Sequence, residues 1–159
     1  MLEILNADLD NPQHGEAFVS LLNDYARDPM GGGEDLSDYA KANLVNEVRK
    51  RSAIHVVLAF IDGQPAGFST CIEGFSTFAC KPLLNIHDIA VSPQFRGLGI
   101  AKKMLAHIQG LAEKSGCCKI TLEVLQGNTR ACLLYKSVGF SSYELDPAMG
   151  GAVLMQKKL

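Results

Sequence analysis

Val91-Ser92-Pro93-Gln94-Phe95-Arg96-Gly97-Leu98-Gly99-Ile100-Ala101 joins a strand-like run to an amphipathic helix. The run before it, Leu83 to Val91 (LLNIHDIAV), reads as a long strand. After it, Ile100, Met104, Leu105, Ile108, Leu111 and Ala112 recur at helical spacing and form one apolar face. Gly97 and Gly99 let the backbone come close to a ligand. Free N–H groups at the helix start, with the positive end of the helix dipole, form an anion site. Arg96, Lys102 and Lys103 add positive charge. The stretch is not a Walker loop, because G-x-x-x-x-G-K-[ST] is absent. The third glycine of a dinucleotide fingerprint would fall at Lys102. A bare Gly-x-Gly also serves a tight helix-on-sheet turn, so the surrounding chain must decide.

Outward from this junction, strands and helices alternate. Leu2 to Leu5 is a short strand, and Asn11-Pro12 starts a helix that ends before Asp28-Pro29. Met30-Gly31-Gly32-Gly33 reads as a flexible loop, and Ser37 caps a second helix running to about Arg51. Ile54 to Ile61 and Pro65 to Glu73 pair across the hairpin signal Asp62-Gly63. Phe75 to Lys81 is an irregular link. Beyond the central helix come a strand at Lys119 to Leu125, a short helix at Asn128 to Ser137, and a final strand pair at Phe140 to Leu145 and Ala152 to Lys157. The expected class is α/β: one central, mostly antiparallel mixed sheet with helices on both faces, forming a single domain over residues 1–159.

Composition bounds the function. The chain is 47% hydrophobic and 20% charged, which excludes a disordered protein. A net charge of −2 argues against nucleic-acid binding. No apolar run approaches the ~20 residues that cross a bilayer, and the start lacks the features of a signal peptide. Cys71, Cys80, Cys117, Cys118 and Cys132 have no metal-ligand spacing and read as reduced thiols of a cytoplasmic protein. The expectation is therefore no membrane, no nucleic acid and no metal. Charge is divided unevenly: residues 1–80 carry 12 acids and 5 bases, residues 81–159 carry 5 acids and 10 bases. A basic second half suits a phosphate-bearing ligand and an acidic first half suits a cationic one.

Gln94-Phe95-Arg96-Gly97-Leu98-Gly99 fits every fixed position of [QR]-x-x-G-x-[GA]. Downstream, Asn128-x-x-Ala131-x-x-x-Tyr135-x-x-x-Gly139-Phe140 fits a second half-signature at the usual distance. On these two motifs the chain resembles the GNAT superfamily of N-acetyltransferases, with elements in the same order over nearly its whole length. The resemblance implies acetyl-CoA as co-substrate. The pyrophosphate would lie on Gln94, Arg96, Gly97, Leu98, Gly99, Ile100 and Ala101. The pantetheine arm would pair like an added strand with Ile89 and Val91. Asn128 would hold that arm, although it also suits the N-cap of its own helix.

Direct acetyl transfer in a ternary complex needs a neutral amine, a donor for the oxyanion and a proton for the departing thiolate. Tyr135 falls where the family keeps its general acid; an ordinary packed tyrosine is the other reading of that residue. His87 is the expected base, since an imidazole titrates near neutrality, with Glu73 and Glu123 as rivals acting through water. His87 and Asp88 are neighbours on a strand and point to opposite faces. Cys80 or Cys132 as an acetyl carrier is a further alternative. The acceptor side is acidic: Asp28 and Glu34, with Glu73 and Glu123, would receive a small cationic amine. The glycines at 31–33 suit a lid, and Phe75 and Phe78 could line the pocket. A non-catalytic acyl-CoA-binding or sensor domain of the same fold is the alternative function. A homodimer is expected only from the habits of the family.

Overall fold

In the computed structural model, which describes residues 1–159, the elements are β1 (Leu2–Asn6), α1 (Pro12–Arg27), α2 (Asp38–Arg49), β2 (Ile54–Ile61), β3 (Gln64–Ser76), β4 (Lys81–Val91), α3 (Ile100–Lys114), β5 (Ile120–Leu122) and α4 (Thr129–Ser137). They fall into two compact units, Met1–Leu125 and Gln126–Leu159.

The first unit is a five-stranded sheet in the order β1-β2-β3-β4-β5. Neighbours are antiparallel except β4 and β5, which are parallel. Strand alternation divides β2 between two faces. Val56, Leu58 and Phe60 join Phe68 of β3, Ala17, Phe18 and Leu21 of α1 and Val48 of α2 in one buried cluster. The intervening Val57 and Ala59 are fully buried on the opposite face, where α3 packs on β2 and β3 with Ile100, Met104, Leu105, Ile108 and Ala112. The expected mixed sheet with helices on both faces is thus observed. The helix starts follow the local chemistry. Asn11 accepts from Gln13 N–H (3.0 Å), with Pro12 in the first turn, and Ser37 Oγ accepts from Ala40 N–H (3.1 Å).

The α1–α2 connection differs from the flexible loop expected of its glycines. Gly31 N–H donates to Asp28 C=O (2.8 Å), Gly33 N–H to Ala26 C=O (2.9 Å), and Leu36 N–H to Asn23 Oδ1 (2.9 Å). Asp35 pairs with both Arg27 and Lys41. Returning hydrogen bonds to the end of α1 make this a tied turn, not a loose lid. β3 and β4 also reach further than expected, so Phe75 lies on β3 and Phe78 in the turn after it; both are exposed.

The second unit contains α4 and no strand. The expected final pair, Phe140 to Leu145 with Ala152 to Lys157, does not form. Ala152 N–H donates to Tyr143 C=O (3.4 Å), but no ladder follows. Leu145, Val153, Leu154 and Met155 are all exposed. Without an apolar face to bury, a two-strand ribbon is marginal in water, and Pro147 with Gly150-Gly151 interrupts it. β5 is likewise cut to Ile120–Leu122, the residues that pair with Leu84, Asn85 and Ile86 of β4.

Candidate active site

Pairing between β4 and β5 ends at Ile86 and Leu122, while β4 continues to Val91. His87 to Val91 therefore keep one backbone edge without a strand partner in this sheet. Ser92 N–H donates to Ala66 C=O on the β3 side (2.8 Å). By alternation, the peptide groups of Ile89 and Val91 point the other way, to the open edge. Val91 C=O is taken there by Arg96 Nε–H (3.2 Å).

A short 3-10 turn, Pro93–Phe95, leads into the glycines, with Gln94 exposed. Gly97 and Gly99 have φ of 86° and 74°, the left-handed region. Gly99 is the N-cap of α3 and offers no side-chain cap. The first backbone bond of the helix runs from Lys103 N–H to Gly99 C=O (3.2 Å), and the amides of Gly97 to Lys102 find no acceptor within the chain. A Cβ built on Gly97 or Gly99 would meet no protein atom within 4 Å. Leu98 is exposed, Ile100 anchors the helix in the core, and Ala101 is half-buried. This is a cradle of unpaired N–H groups at the positive end of a helix, and it fits a diphosphate.

Arg96 is held. Besides its bond to Val91, its Nη2 donates to Asp28 Oδ2 (3.0 Å), and Asp28 Oδ1 accepts Met30 N–H (2.9 Å). The Met30 amide, then the guanidinium, keep the Asp28 carboxyl below its ordinary pKa. Glu34 lies exposed in the same connection, its N–H bonded to Ala26 C=O (3.1 Å).

On β4 the register shifts: Thr70 pairs with Asp88 and Cys71 with Ile86, leaving His87 without a partner on β3. This bulge breaks the simple alternation from which opposite faces were expected for His87 and Asp88. His87 is exposed. Asp88 shares the α1 face with Thr70, Phe68 and Ala90. Burial raises its pKa, and His87 and the Thr70 hydroxyl offset part of the rise. The Thr70 hydroxyl is buried and makes no regular hydrogen bond. Tyr25 of α1, packed on Phe68 at 6.2 Å between ring centres, feels both Asp88 and Asp28. Burial first, then those two charges, raise its pKa and keep the phenol protonated. Tyr25 lies at helical spacing from Phe18, Leu21 and Leu22 on the apolar stripe of α1, and nothing local in the sequence marks it as a polar partner of Asp28 and Asp88.

Glu73 pairs with Leu84 on β3, and its carboxylate is 3.9 Å from His55 Nε2. Burial, and then the Glu73 charge, raise the Cys117 pKa. Glu123 is exposed just past β5. In the second unit, Asn128 caps α4, accepting from Ala131 N–H (3.2 Å). Tyr135, in the last turn of α4, meets the Phe140 ring edge-on at 5.9 Å. No three His, Cys, Asp or Glu residues cluster to hold a metal, and no helix is long and apolar enough to cross a membrane.

Residues 18–140 match the acetyltransferase (GNAT) family. Thialysine N-epsilon-acetyltransferase of Caenorhabditis elegans is 27% identical over 135 residues, 81% of this chain and 78% of the relative. Streptothricin acetyltransferase of Streptomyces lavendulae is 32% identical over 121 residues, 76% of this chain and 59% of the relative. Among solved structures, AAC(6')-Iy in complex with the bisubstrate analog CoA-S-monomethyl-acetylneamine superposes with a TM-score of 0.75. That match covers 100% of this chain and 99% of the other at 21% identity, and it shows a common fold.

Proposed function

This chain belongs to the acetyltransferase (GNAT) family and is an N-acetyltransferase; from that premise we propose that it moves the acetyl group of acetyl-CoA to a primary amine of a small cationic acceptor, by direct attack in a ternary complex. The observation that carries the reading is the cradle of unpaired amides from Gly97 to Lys102 beside the open edge of β4. Acetyl-CoA supplies an activated acyl carbon. Gln94, Arg96, Gly97, Leu98, Gly99, Ile100 and Ala101 hold its diphosphate, Ile89 and Val91 pair with its amide-rich arm, and Asn128 adds a side-chain amide. The amine nitrogen bonds to the acyl carbon to give a tetrahedral oxyanion, whose collapse breaks the carbon–sulfur bond and releases the thiolate. His87 takes the amine proton, Tyr135 gives its phenolic proton to the thiolate, and a β4 amide donates to the developing oxyanion.

The acceptor reading rests on charge. Asp28 and Asp88 both act electrostatically on Tyr25, and two carboxyls in one neighbourhood favour an ammonium over an anion. Glu34, Glu73 and Glu123, all exposed, are the other carboxylates this reading assigns to the acceptor. The relatives named for thialysine and streptothricin support an amine acceptor. No metal takes part in this scheme.

Two measurements test it. CoA, and not ATP, raises the melting temperature, and a panel of lysine-like amines, polyamines and aminoglycosides releases free thiol from acetyl-CoA. Stabilisation by ATP alone, or no thiol with any amine, overturns the reading. Tyr135→Phe lowers kcat about 100-fold, the low end for loss of a general acid, while CoA still binds; unchanged kcat removes Tyr135 from its role.

A further inference from the structure

The structure links two regions far apart in sequence through one ion pair. Arg96 belongs to the diphosphate loop, and Asp28 closes α1 and opens the acidic connection to α2. Arg96 Nη2 and Asp28 Oδ2 are 3.0 Å apart, with the side chains 44% and 24% exposed. An ion pair this open to water contributes little, because water screens it and two side chains must be held still. A diphosphate offers the same guanidinium two charged groups in bidentate geometry, a stronger class of bond. The Nε bond to Val91 C=O leaves the guanidinium edge that now holds Asp28 as the part that can change partner.

We propose that the Arg96–Asp28 pair is a latch opened by the diphosphate of the co-substrate, so that the Asp28 carboxylate becomes available to a cationic acceptor only after the cradle is filled. The inference rests on the acetyl-CoA reading above and deepens it by giving the site an order of binding. Asp28 keeps the Met30 N–H after release and so stays fixed at the start of the tied turn. Losing its guanidinium partner leaves it the less satisfied of the two anions, and an ammonium can replace that partner. The acceptor-free protein thus competes with its own co-substrate for Arg96.

The experiment measures CoA affinity by calorimetry in wild type, Asp28→Asn, Arg96→Gln and the double variant. Asparagine at 28 still accepts from Met30 N–H, so the turn is kept while the charge is lost. Asp28→Asn should bind CoA more tightly, by up to about fivefold, the Kd equivalent of the ~1 kcal/mol upper range for an exposed pair. In the Arg96→Gln background the same substitution should change nothing, because the competition is gone. Asp24→Asn removes a nearby charge that does not touch Arg96, and should leave CoA affinity unchanged. In wild type, a 13C carboxyl titration should show the Asp28 pKa rising toward its ordinary value when CoA is added.

Equal CoA affinity in wild type and Asp28→Asn overturns the latch while leaving the acetyl-CoA reading intact. An equal gain in the Arg96→Gln background also overturns it, by showing bulk repulsion instead of a shared partner. Failure of wild type to bind CoA at all overturns both.

Discussion

Gly99→Ala separates what the cradle glycine does for the fold from what it does for the ligand. Gly99 has φ of 74°, and a Cβ there would meet no protein atom within 4 Å. The variant therefore incurs backbone strain alone, roughly 1–2 kcal/mol for an L-residue in the left-handed region. In a chain of this size that lowers Tm by about 2–8 °C. Gly116, at the other end of α3, is a matched control, with φ of 70° and no neighbour within 4 Å of a built Cβ. Gly116→Ala should lower Tm by a similar amount. The two differ in what lies beside the new methyl group. At Gly99 it stands among the unpaired amides of Gly97 to Lys102. Blocking one charge-assisted bond to a phosphate costs about 1.5–3 kcal/mol, roughly 10- to 150-fold in Kd. Calorimetric titration with CoA at a temperature where both variants are folded reads the difference. Gly99→Ala binding CoA as tightly as Gly116→Ala would refute the assignment of these amides to the diphosphate.

Three further outcomes follow from burial and charge. Burial raises the Asp88 pKa above its unfolded value, so this carboxyl favours folding while protonated and loses that advantage as pH rises through its folded pKa. Asp88→Asn should therefore raise Tm over wild type at pH 8, and the gain should shrink as acidification protonates the carboxyl; a pH-independent difference contradicts this. Phe68 is fully buried and packs tilted against the rings of Phe18 and Tyr25, with centroids 6.0 and 6.2 Å away, so Phe68→Ala should lose about 3–5 kcal/mol in chemical denaturation. A loss under 1 kcal/mol would mean this core is not the one that holds α1 on the sheet. The Cys71 thiol is buried and its pKa is pushed up to about 11, whereas Cys80 and Cys118 are exposed. A thiol reagent at neutral pH should label Cys80 and Cys118 in the native protein and reach Cys71 only on unfolding; early labelling of Cys71 counts against its buried place on β3.

Local chemistry made much of this protein readable from its residues. Asn11 and Ser37 cap where capping residues should, β2 runs over the expected Ile54–Ile61, and α3 starts at Ile100 after the glycines. These features depend on neighbours in sequence, through helical periodicity, strand alternation and the φ preferences of glycine and proline. The anion cradle was legible for the same reason, since its amides come from consecutive residues. Three things waited for tertiary structure. Arg96 and Asp28 meet across 68 positions, and neither signals the other locally. The bulge at His87 comes from matching β4 to β3, and it removes the alternation that would aim that side chain. The tail from Phe140 onward has strand composition but no ladder, because a strand is made by its partner and by the face it buries. Sequence alone settles elements whose hydrogen bonds close within a few residues; which distant charges pair, and which extended segments find an edge, is decided only when the sheet assembles and desolvates one face against another.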